Sequence, residues 1–439
     1  MQRTDEIIPD TSGKIKRPLH ETAENQQKTL LVVLKFQDDA QGRTNAKLEE
    51  LRSLVQTMGS EIAGDMIIAM RQEHPATLIG RGKVEEISQL CEELDAQCVI
   101  FDHDLSPRNQ RNLENLTGRC VIDRQEVILQ IFANRAMTKE ATLQVALARL
   151  QYSLPRLTRK WTNLSQQKGG VKGTRGEGET QLELDRRVVL RRIDQLKEEL
   201  AKVQAQRTIQ RKSRQEGNVP TGAIVGYTNS GKSSLLRALS GADILVEDKL
   251  FATLDPTTRK VKLPGGHEVL LSDTVGFVSD LPHHLVDAFK STLEETREAD
   301  FLVIVCDASH PDLLACYETT QEVLRSLGSA DKPTIVMINK MDACLEEFAV
   351  ARLKSLASHV VETSILHHQG LDELEQAIEA IVHHLRPPRK YLIPNDRHDL
   401  VAWTRRNGSV EDIRYEEDGI HLTARLNERN EAYLENFVQ

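Results

Sequence analysis

Short apolar runs alternate with helical spacings along most of this 439-residue chain. The first run, Leu30-Leu31-Val32-Val33-Leu34, has the length of a buried strand. Leu48, Leu51 and Leu54 then step at helical spacing, Met66-Ile67-Ile68-Ala69 predicts a strand, and Val84, Ile87 and Leu90 mark a second helix. Cys98-Val99-Ile100-Phe101 runs out into Asp102 as a parallel strand runs into a loop. Ser106-Pro107 opens another helix, with serine as its cap and proline in its first turn, and Arg119 to Asp123 predicts one more strand. This alternation predicts a parallel sheet covered on both faces, over about 28–136. The polar residues 1–27, with Pro9 to Gly13 clustered early, read as a disordered lead.

The period changes over 137–216. Leu143, Leu147, Leu150 and Leu154 step by four, three and four. Leu182, Val189, Ile193, Leu196, Leu200 and Val203 follow a heptad seam that Arg186 interrupts. Two antiparallel helical arms explain both patterns, the second about 35 residues and roughly 50 Å long. Between them Arg156 to Gly178 carries five glycines and is not helical in character, and Pro155 should end the first arm. A second α/β domain is expected over 217–386, with strands at Gly222–Val225, Arg259–Leu263, His267–Ser272, Phe301–Asp307, Thr334–Asn339 and His359–Thr363. After Pro387-Pro388 the pattern β-α-β-β-α, with turns at Asn407-Gly408 and Glu417-Asp418-Gly419, predicts a small α+β domain over 387–439. The fold class is α/β, with antiparallel helical arms between the two α/β domains and a small α+β domain at the end.

Composition narrows the functional classes. The formal net charge of −9 excludes a protein that coats nucleic acid with its whole surface, so any contact must come from a local basic patch. No apolar run approaches the ~20 residues that cross a bilayer, and the first 27 residues hold no apolar signal core. A cytoplasmic monomer that binds no DNA is expected, with peripheral membrane contact left open. The six cysteines form no C-x-x-C pair and read as reduced thiols packed as small hydrophobes.

One segment carries chemistry. Gly226-Tyr227-Thr228-Asn229-Ser230-Gly231-Lys232-Ser233 matches G-x-x-x-x-G-K-[ST], with Ser234 next to it; the segment follows an apolar strand and opens a helix. Glycines let successive backbone N–H groups wrap a polyphosphate, and the helix N-terminus adds its positive dipole end. Lys232 would reach the β and γ phosphates, and the Ser233 hydroxyl would ligate Mg²⁺. Asp273-Thr274-Val275-Gly276 follows a second strand: Asp273 can hold Mg²⁺ through water, and Gly276 can offer its N–H to the γ-phosphate. Asn339-Lys340-Met341-Asp342 follows a third. The Asp342 carboxylate can accept from guanine N1 and N2, whereas adenine would leave a buried Asp342 unpaired. Asn339 can bond the other edge of the base and the Lys340 stem can lie along its face. Ser364-Ile365-Leu366 forms a loop that could close over the purine.

Taken in order, these elements resemble the guanine-nucleotide elements of translation-factor-class P-loop GTPases. Phe251-Ala252-Thr253-Leu254-Asp255-Pro256-Thr257 supplies the remaining one. The resemblance implies that Thr253 is the switch I threonine that closes on Mg²⁺, with Thr257 and Thr258 as rivals. It makes Lys232, Thr253 and Gly276 the catalytic set. Phe277 stands where many such GTPases carry a water-orienting glutamine, which implies slow intrinsic hydrolysis unless Phe277 is simply core. Asn229 occupies a position at which related GTPases hold K⁺.

Outside this domain, Gln167-Lys168-Gly169-Gly170 and Gly173-Thr174-Arg175-Gly176-Glu177-Gly178-Glu179-Thr180-Gln181-Leu182-Glu183 resemble the signature of the HflX family of ribosome-associated GTPases. Phe101-Asp102-His103-Asp104-Leu105-Ser106-Pro107 and Gly80-Arg81-Gly82-Lys83 also resemble that family. The resemblance implies binding of GTP and GDP, association with the large ribosomal subunit, and splitting or rescue of stalled ribosomes under stress. Arg156, Arg159, Lys160, Lys168, Lys172 and Arg175, against the single acid Glu177, would meet ribosomal RNA phosphates, with Trp161 free to stack on a base. The rival is an Obg- or Era-like regulatory switch that splits no ribosomes.

Overall fold

The computed structural model describes residues 27–37, 41–157, 177–215, 219–241, 250–278, 290–385, 387–426 and 428–438. The chain forms two compact units. One gathers the described residues up to Asn134 together with Thr142–Leu200, and the other gathers Arg135–Ala141 with the chain from Ala201.

In the first unit, strands β1 (Lys28–Lys35), β2 (Glu61–Ala69), β3 (Cys98–Phe101) and β4 (Cys120–Asp123) form a parallel sheet in the order β2-β1-β3-β4. Helices α1 (Gln41–Met58), α2 (Arg81–Glu93) and α3 (Pro107–Thr117) connect them. Leu30 to Val33 are all fully buried, so both faces of β1 are covered, which is why the strand reads as an unbroken apolar run. Ser106 caps α3 as expected, accepting from the Asn109 N–H at 3.1 Å.

Helix α4 (Arg124–Arg135) follows β4 without a break. Asp123 is the hinge: its Oδ1 accepts from the Glu126 N–H at 2.9 Å and from the Tyr152 hydroxyl at 2.8 Å. Helix α5 (Lys139–Ser153) ends in a 3₁₀ turn, Leu154–Arg156, so Pro155 stops the first arm as predicted. Helix α6 (Glu177–Gln215) runs 39 residues, and its heptad seam is buried at Ile193 and Leu196.

Arg156 corrects the expectation of a free phosphate ligand. Its guanidinium donates to Asp123 Oδ2 at 3.2 Å, to the Leu105 carbonyl at 2.7 Å and to Gln110 Oε1 at 2.9 Å, and stacks 3.5 Å above the Tyr152 ring. Because Asp123 is fully buried, the arginine is what compensates its charge. Arg159, Lys160, Trp161, Lys168, Lys172 and Arg175 lie outside the described residues.

In the second unit, six strands run in the order β10-β9-β8-β5-β7-β6. They are β5 (Thr221–Gly226), β6 (Thr257–Lys262), β7 (Glu268–Asp273), β8 (Phe301–Asp307), β9 (Thr334–Asn339) and β10 (Val360–Glu362). All pair in parallel except β6, which runs antiparallel to β7 at the edge. Helices α7 (Lys232–Ser240), α8 (Lys290–Glu298), α9 (Leu313–Ser326), α10 (Glu347–Leu356) and α11 (Leu371–Leu385) accompany them. Two apolar cores result, one around Leu302, Ile304 and Ile338 and one around Val303, Ile335 and Leu271. This alternation along each strand separates the two faces of the sheet.

The chain closes with β11 (Arg389–Ile393), α12 (His398–Asn407), β12 (Ser409–Glu416), β13 (Gly419–Arg425) and α13 (Glu428–Tyr433). Their antiparallel sheet has the order β11-β13-β12, around buried Tyr391, Leu400 and Leu422. The predicted β-α-β-β-α order holds, and this sheet groups with the six-stranded one.

Candidate active site

The C-terminal ends of β5, β7 and β9 gather around one cavity of about 650 Å³, the ligand position expected for an open α/β sheet. Leaving β5, the chain turns sharply at Gly226, Asn229 and Gly231, all with positive φ. A Cβ on Gly226 would stand 2.3 Å from the Val305 carbonyl oxygen, so the loop can follow the sheet this closely only with glycine there. Thr228, Asn229, Gly231, Lys232, Ser233 and Ser234 line the cavity.

Lys232 is buried and donates to the Tyr227 carbonyl at 2.6 Å. Burial pushes its ammonium down to about 8, Asp273 opposes that and Lys340 adds to it. Beside it, three oxygens converge. Ser233 Oγ lies 2.6 Å from Asp273 Oδ2 and 2.9 Å from Thr253 Oγ1, and Thr253 Oγ1 donates to Asp273 Oδ2 at 2.8 Å. Asp273 Oδ1 is buried with no partner among the described residues. Burial raises the Asp273 carboxyl above its ordinary value, against the pull of Lys232. A carboxylate with one orphaned oxygen and two hydroxyls on the other fits a hard, oxygen-seeking Mg²⁺ ion. Of the three switch I rivals, Thr253 is the one whose hydroxyl bonds Asp273; Thr257 stands opposite Asp273 in the β6–β7 ladder, and Thr258 turns to Ser272 at 2.8 Å.

Gly276 lies against the P-loop, where a Cβ would come 2.7 Å from Thr228 Cα. Thr274 donates to the Ile224 carbonyl at 2.8 Å and Val275 is buried, which fixes the strand end that carries Asp273. Phe277 is 4% exposed and belongs to the core with Ala223, Val225 and Leu302. Its backbone continues the sheet, accepting from the Thr228 N–H at 2.7 Å. The core reading of Phe277 therefore holds.

At the base side, Asn339 lines the cavity. Its amide donates to the Ser230 carbonyl at 2.9 Å, and its oxygen accepts from the Ile365 N–H at 3.3 Å, so it braces two loops against each other. Lys340 donates to the Asn229 carbonyl at 3.0 Å and pairs with Asp307 at 2.6 Å. Asp342 is exposed at the mouth, not buried as expected. The Ser364 hydroxyl donates to it at 2.5 Å and holds its carboxyl below the usual range. Ile365 and Leu366 line the same rim, whereas Met341 packs into the core.

Phe251 and Leu254 are buried, and Ala252 reaches the cavity. Asp255 departs from the nucleotide set, because its carboxylate accepts from the backbone N–H groups of Met137 and Thr138. Asp307 and Arg237, which lines the cavity, were not singled out from sequence. Asp307 carried a readable signal, an acid at the end of an apolar strand.

This cleft, with the glycine-rich loop, the Ser233–Thr253–Asp273 oxygens and Asp342 around it, is the site of a P-loop GTPase. Three family models match the chain in succession: "GTP-binding GTPase N-terminal" over residues 45–133, "GTP-binding GTPase Middle Region" over 135–214 and "50S ribosome-binding GTPase" over 221–340. The GTPase HflX of Akkermansia muciniphila is 48% identical over 432 residues, covering 96% of this chain and 99% of that protein. The GTPase HflX of Treponema denticola is 54% identical over 341 residues, covering 76% and 87%. The chain belongs to the HflX family of GTPases. A GTP-binding protein of Sulfolobus solfataricus, solved in complex with GDP, is 26% identical, with 82% of this chain and 99% of that chain covered at a TM-score of 0.44.

Proposed function

We propose that this GTPase docks on the large ribosomal subunit and, powered by GTP binding and hydrolysis, splits or rescues stalled ribosomes. The observation that carries the nucleotide half is the Ser233–Thr253–Asp273 cluster beside buried Lys232. The ribosomal half is supported by the match of residues 221–340 to a ribosome-binding GTPase family and by the basic segment 159–175 in a chain of net charge −9.

The roles follow from position. The P-loop N–H groups and the α7 N-terminus cradle the phosphates. Lys232 gives up its contact with the Tyr227 carbonyl to reach the β and γ oxygens, where developing charge gains most from it. Ser233, Thr253 and Asp273 would hold Mg²⁺, which supplies charge neutralisation across the β and γ phosphates. Thr253 reports the nucleotide state, because its hydroxyl can meet Asp273 only while switch I is closed. Gly276 brings its N–H to the γ-phosphate. Asp342, oriented by Ser364, reads the guanine edge. Phe277 packs in the core, so the acceleration of hydrolysis by the ribosome rests in this reading on the match of residues 221–340 to a ribosome-binding GTPase family and not on that position. A K⁺ ion beside Asn229, at the cavity wall, belongs to the same reading.

The test is GTP hydrolysis with and without purified large subunits, alongside co-sedimentation with GTP and with GDP. Strong stimulation and GTP-dependent co-sedimentation are expected. A rate indifferent to large subunits would instead favour the regulatory switch.

A further inference from the structure

A second constellation sits at the far end of the β6–β7 hairpin, away from the nucleotide. His267 in the turn, and Glu379 and His383 one helical turn apart on α11, bring one ligand atom each to within 4.8 Å of one another. His267 Nδ1 lies 3.1 Å from Glu379 Oε1, and the two imidazoles meet edge-to-face at 4.9 Å between centroids. Both partners of that contact are largely enclosed, at 17% and 15% exposure. His383 Nε2 is shut off from solvent and has no hydrogen-bond partner among the described residues. A buried imidazole nitrogen left without a partner costs about 1–3 kcal/mol and calls for an explanation.

The backbone is shaped to this cluster. The Gly265 N–H donates to Glu379 Oε2 at 3.3 Å, and a Cβ there would stand 1.9 Å from Oε1. A side chain at Gly265 would push the Glu379 carboxylate aside, so glycine lets the hairpin tip and the carboxylate meet as they do here. Glu379 and His383 are four residues apart, so they project from one face of α11. The Gly265 contact also orients the carboxylate from behind, as groups behind a metal ligand do.

We propose that His267, Glu379 and His383 bind a divalent transition metal ion, with Zn²⁺ the best fit. Two imidazoles and one carboxylate are borderline donors that suit Zn²⁺ better than Mg²⁺ or Ca²⁺. Bonds of about 2.1 Å in a tetrahedron place ligand atoms roughly 3.4 Å apart, a distance that side-chain rotation closes from the present spacing. The fourth position is left to water. The ion fastens the hairpin tip to α11. Strand β7 starts beside it at Glu268 and ends at Asp273, so the clamp grips the far end of the strand that presents the Mg²⁺ carboxylate, roughly 20 Å away.

The experiment uses the full chain, stripped with chelator and saturated with Mg²⁺ and GDP so that the nucleotide site is filled. Zn²⁺ alone is titrated by calorimetry, and bound metal is counted after dialysis. One equivalent per chain at micromolar affinity or tighter is expected, together with a raised melting temperature. Co²⁺ in its place should give tetrahedral visible bands without the near-ultraviolet thiolate bands that the cysteines would produce. The double variant His267→Gln/His383→Asn should lose at least tenfold in affinity while keeping its far-ultraviolet dichroism. Should it misfold, Glu379→Gln alone, which keeps the volume, must show the loss. The absence of one-equivalent binding overturns the proposal. So does binding that survives these substitutions or carries thiolate bands.

Discussion

Asp255 holds Thr138, the residue that caps the first turn of helix α5. Its Oδ2 accepts from the Met137 and Thr138 N–H groups at 3.1 and 3.0 Å, and its Oδ1 accepts from the Thr138 hydroxyl at 2.5 Å. The same hydroxyl oxygen takes the Ala141 N–H at 3.2 Å, completing the cap. Asp255→Ala should cost about 1 kcal/mol of stability, as the loss of a helix cap does. Urea unfolding measures it, and Thr138→Val should reproduce it without touching switch I. If the two losses add fully in the double variant, the residues are not coupled.

On the proposed reading, guanine selectivity rests on Asp342. Asp342→Asn should weaken GTP about 10- to 100-fold, the worth of a lost charged hydrogen bond. It should improve xanthosine triphosphate, whose C2 carbonyl suits an amide donor. Competition binding with both nucleotides decides, and unchanged GTP affinity would remove Asp342 from the site.

Lys232 gives the site a pH dependence. Its ammonium titrates near 8 in the empty pocket, against about 10.4 in an unfolded chain. Between these values the unfolded state binds more protons, so the empty protein gains stability as pH rises through that window. A triphosphate needs the charged form. Its affinity should therefore fall above pH 8, with a proton taken up on binding. Calorimetry in buffers of different ionisation enthalpy counts that proton, and Lys232→Ala should abolish the uptake.

Neutralising Arg159, Lys160, Lys168, Lys172 and Arg175 should leave nucleotide affinity intact and reduce large-subunit binding. The log–log salt slope should drop by roughly 0.7–0.9 per lost phosphate contact. Arg156 belongs in a different experiment. Arg156→Ala strands the buried Asp123 and should cost roughly 3 kcal/mol in unfolding free energy. Salt series of subunit binding and denaturant titrations separate the two effects, and superimposable salt curves would mean that docking lies elsewhere.

Replacing K⁺ by Na⁺ at equal ionic strength should slow hydrolysis, and Asn229→Ala should erase the difference. Equal rates in both salts would leave Asn229 as a loop-forming residue only.

Much of the fold was legible because its strands are buried on both faces. Phe301–Asp307 and Thr334–Asn339 were predicted to the residue, for there the apolar run and the strand coincide. Helix α4 was missed because no turn separates it from β4. Its signal was present as Asp123 and Glu126, three apart, an acidic cap followed by a glutamate. In the site, motif spacing named the residues and not their directions. Asn339 turned inward to Ser230 and Ile365, and Asp255 turned to Thr138, each partner lying over a hundred positions away or on another element. Arg156 looked like part of a basic loop because composition is local, whereas its counter-charge, Asp123, arrives from β4. The histidine–glutamate cluster was invisible for the same reason, since 112 positions separate His267 from Glu379.

Strand β6 bears on how this enzyme survives crowding. Among the described residues it is the outermost strand of the six-stranded sheet, with one edge that no other strand pairs. Arg259, Lys260 and Lys262 are all exposed on it, while Val261 alone turns into the core. Lys260 is paired with Glu268 on β7 at 2.5 Å, and the positive charges of Arg259 and Lys262 beside it disfavour the approach of a second copy of the same strand.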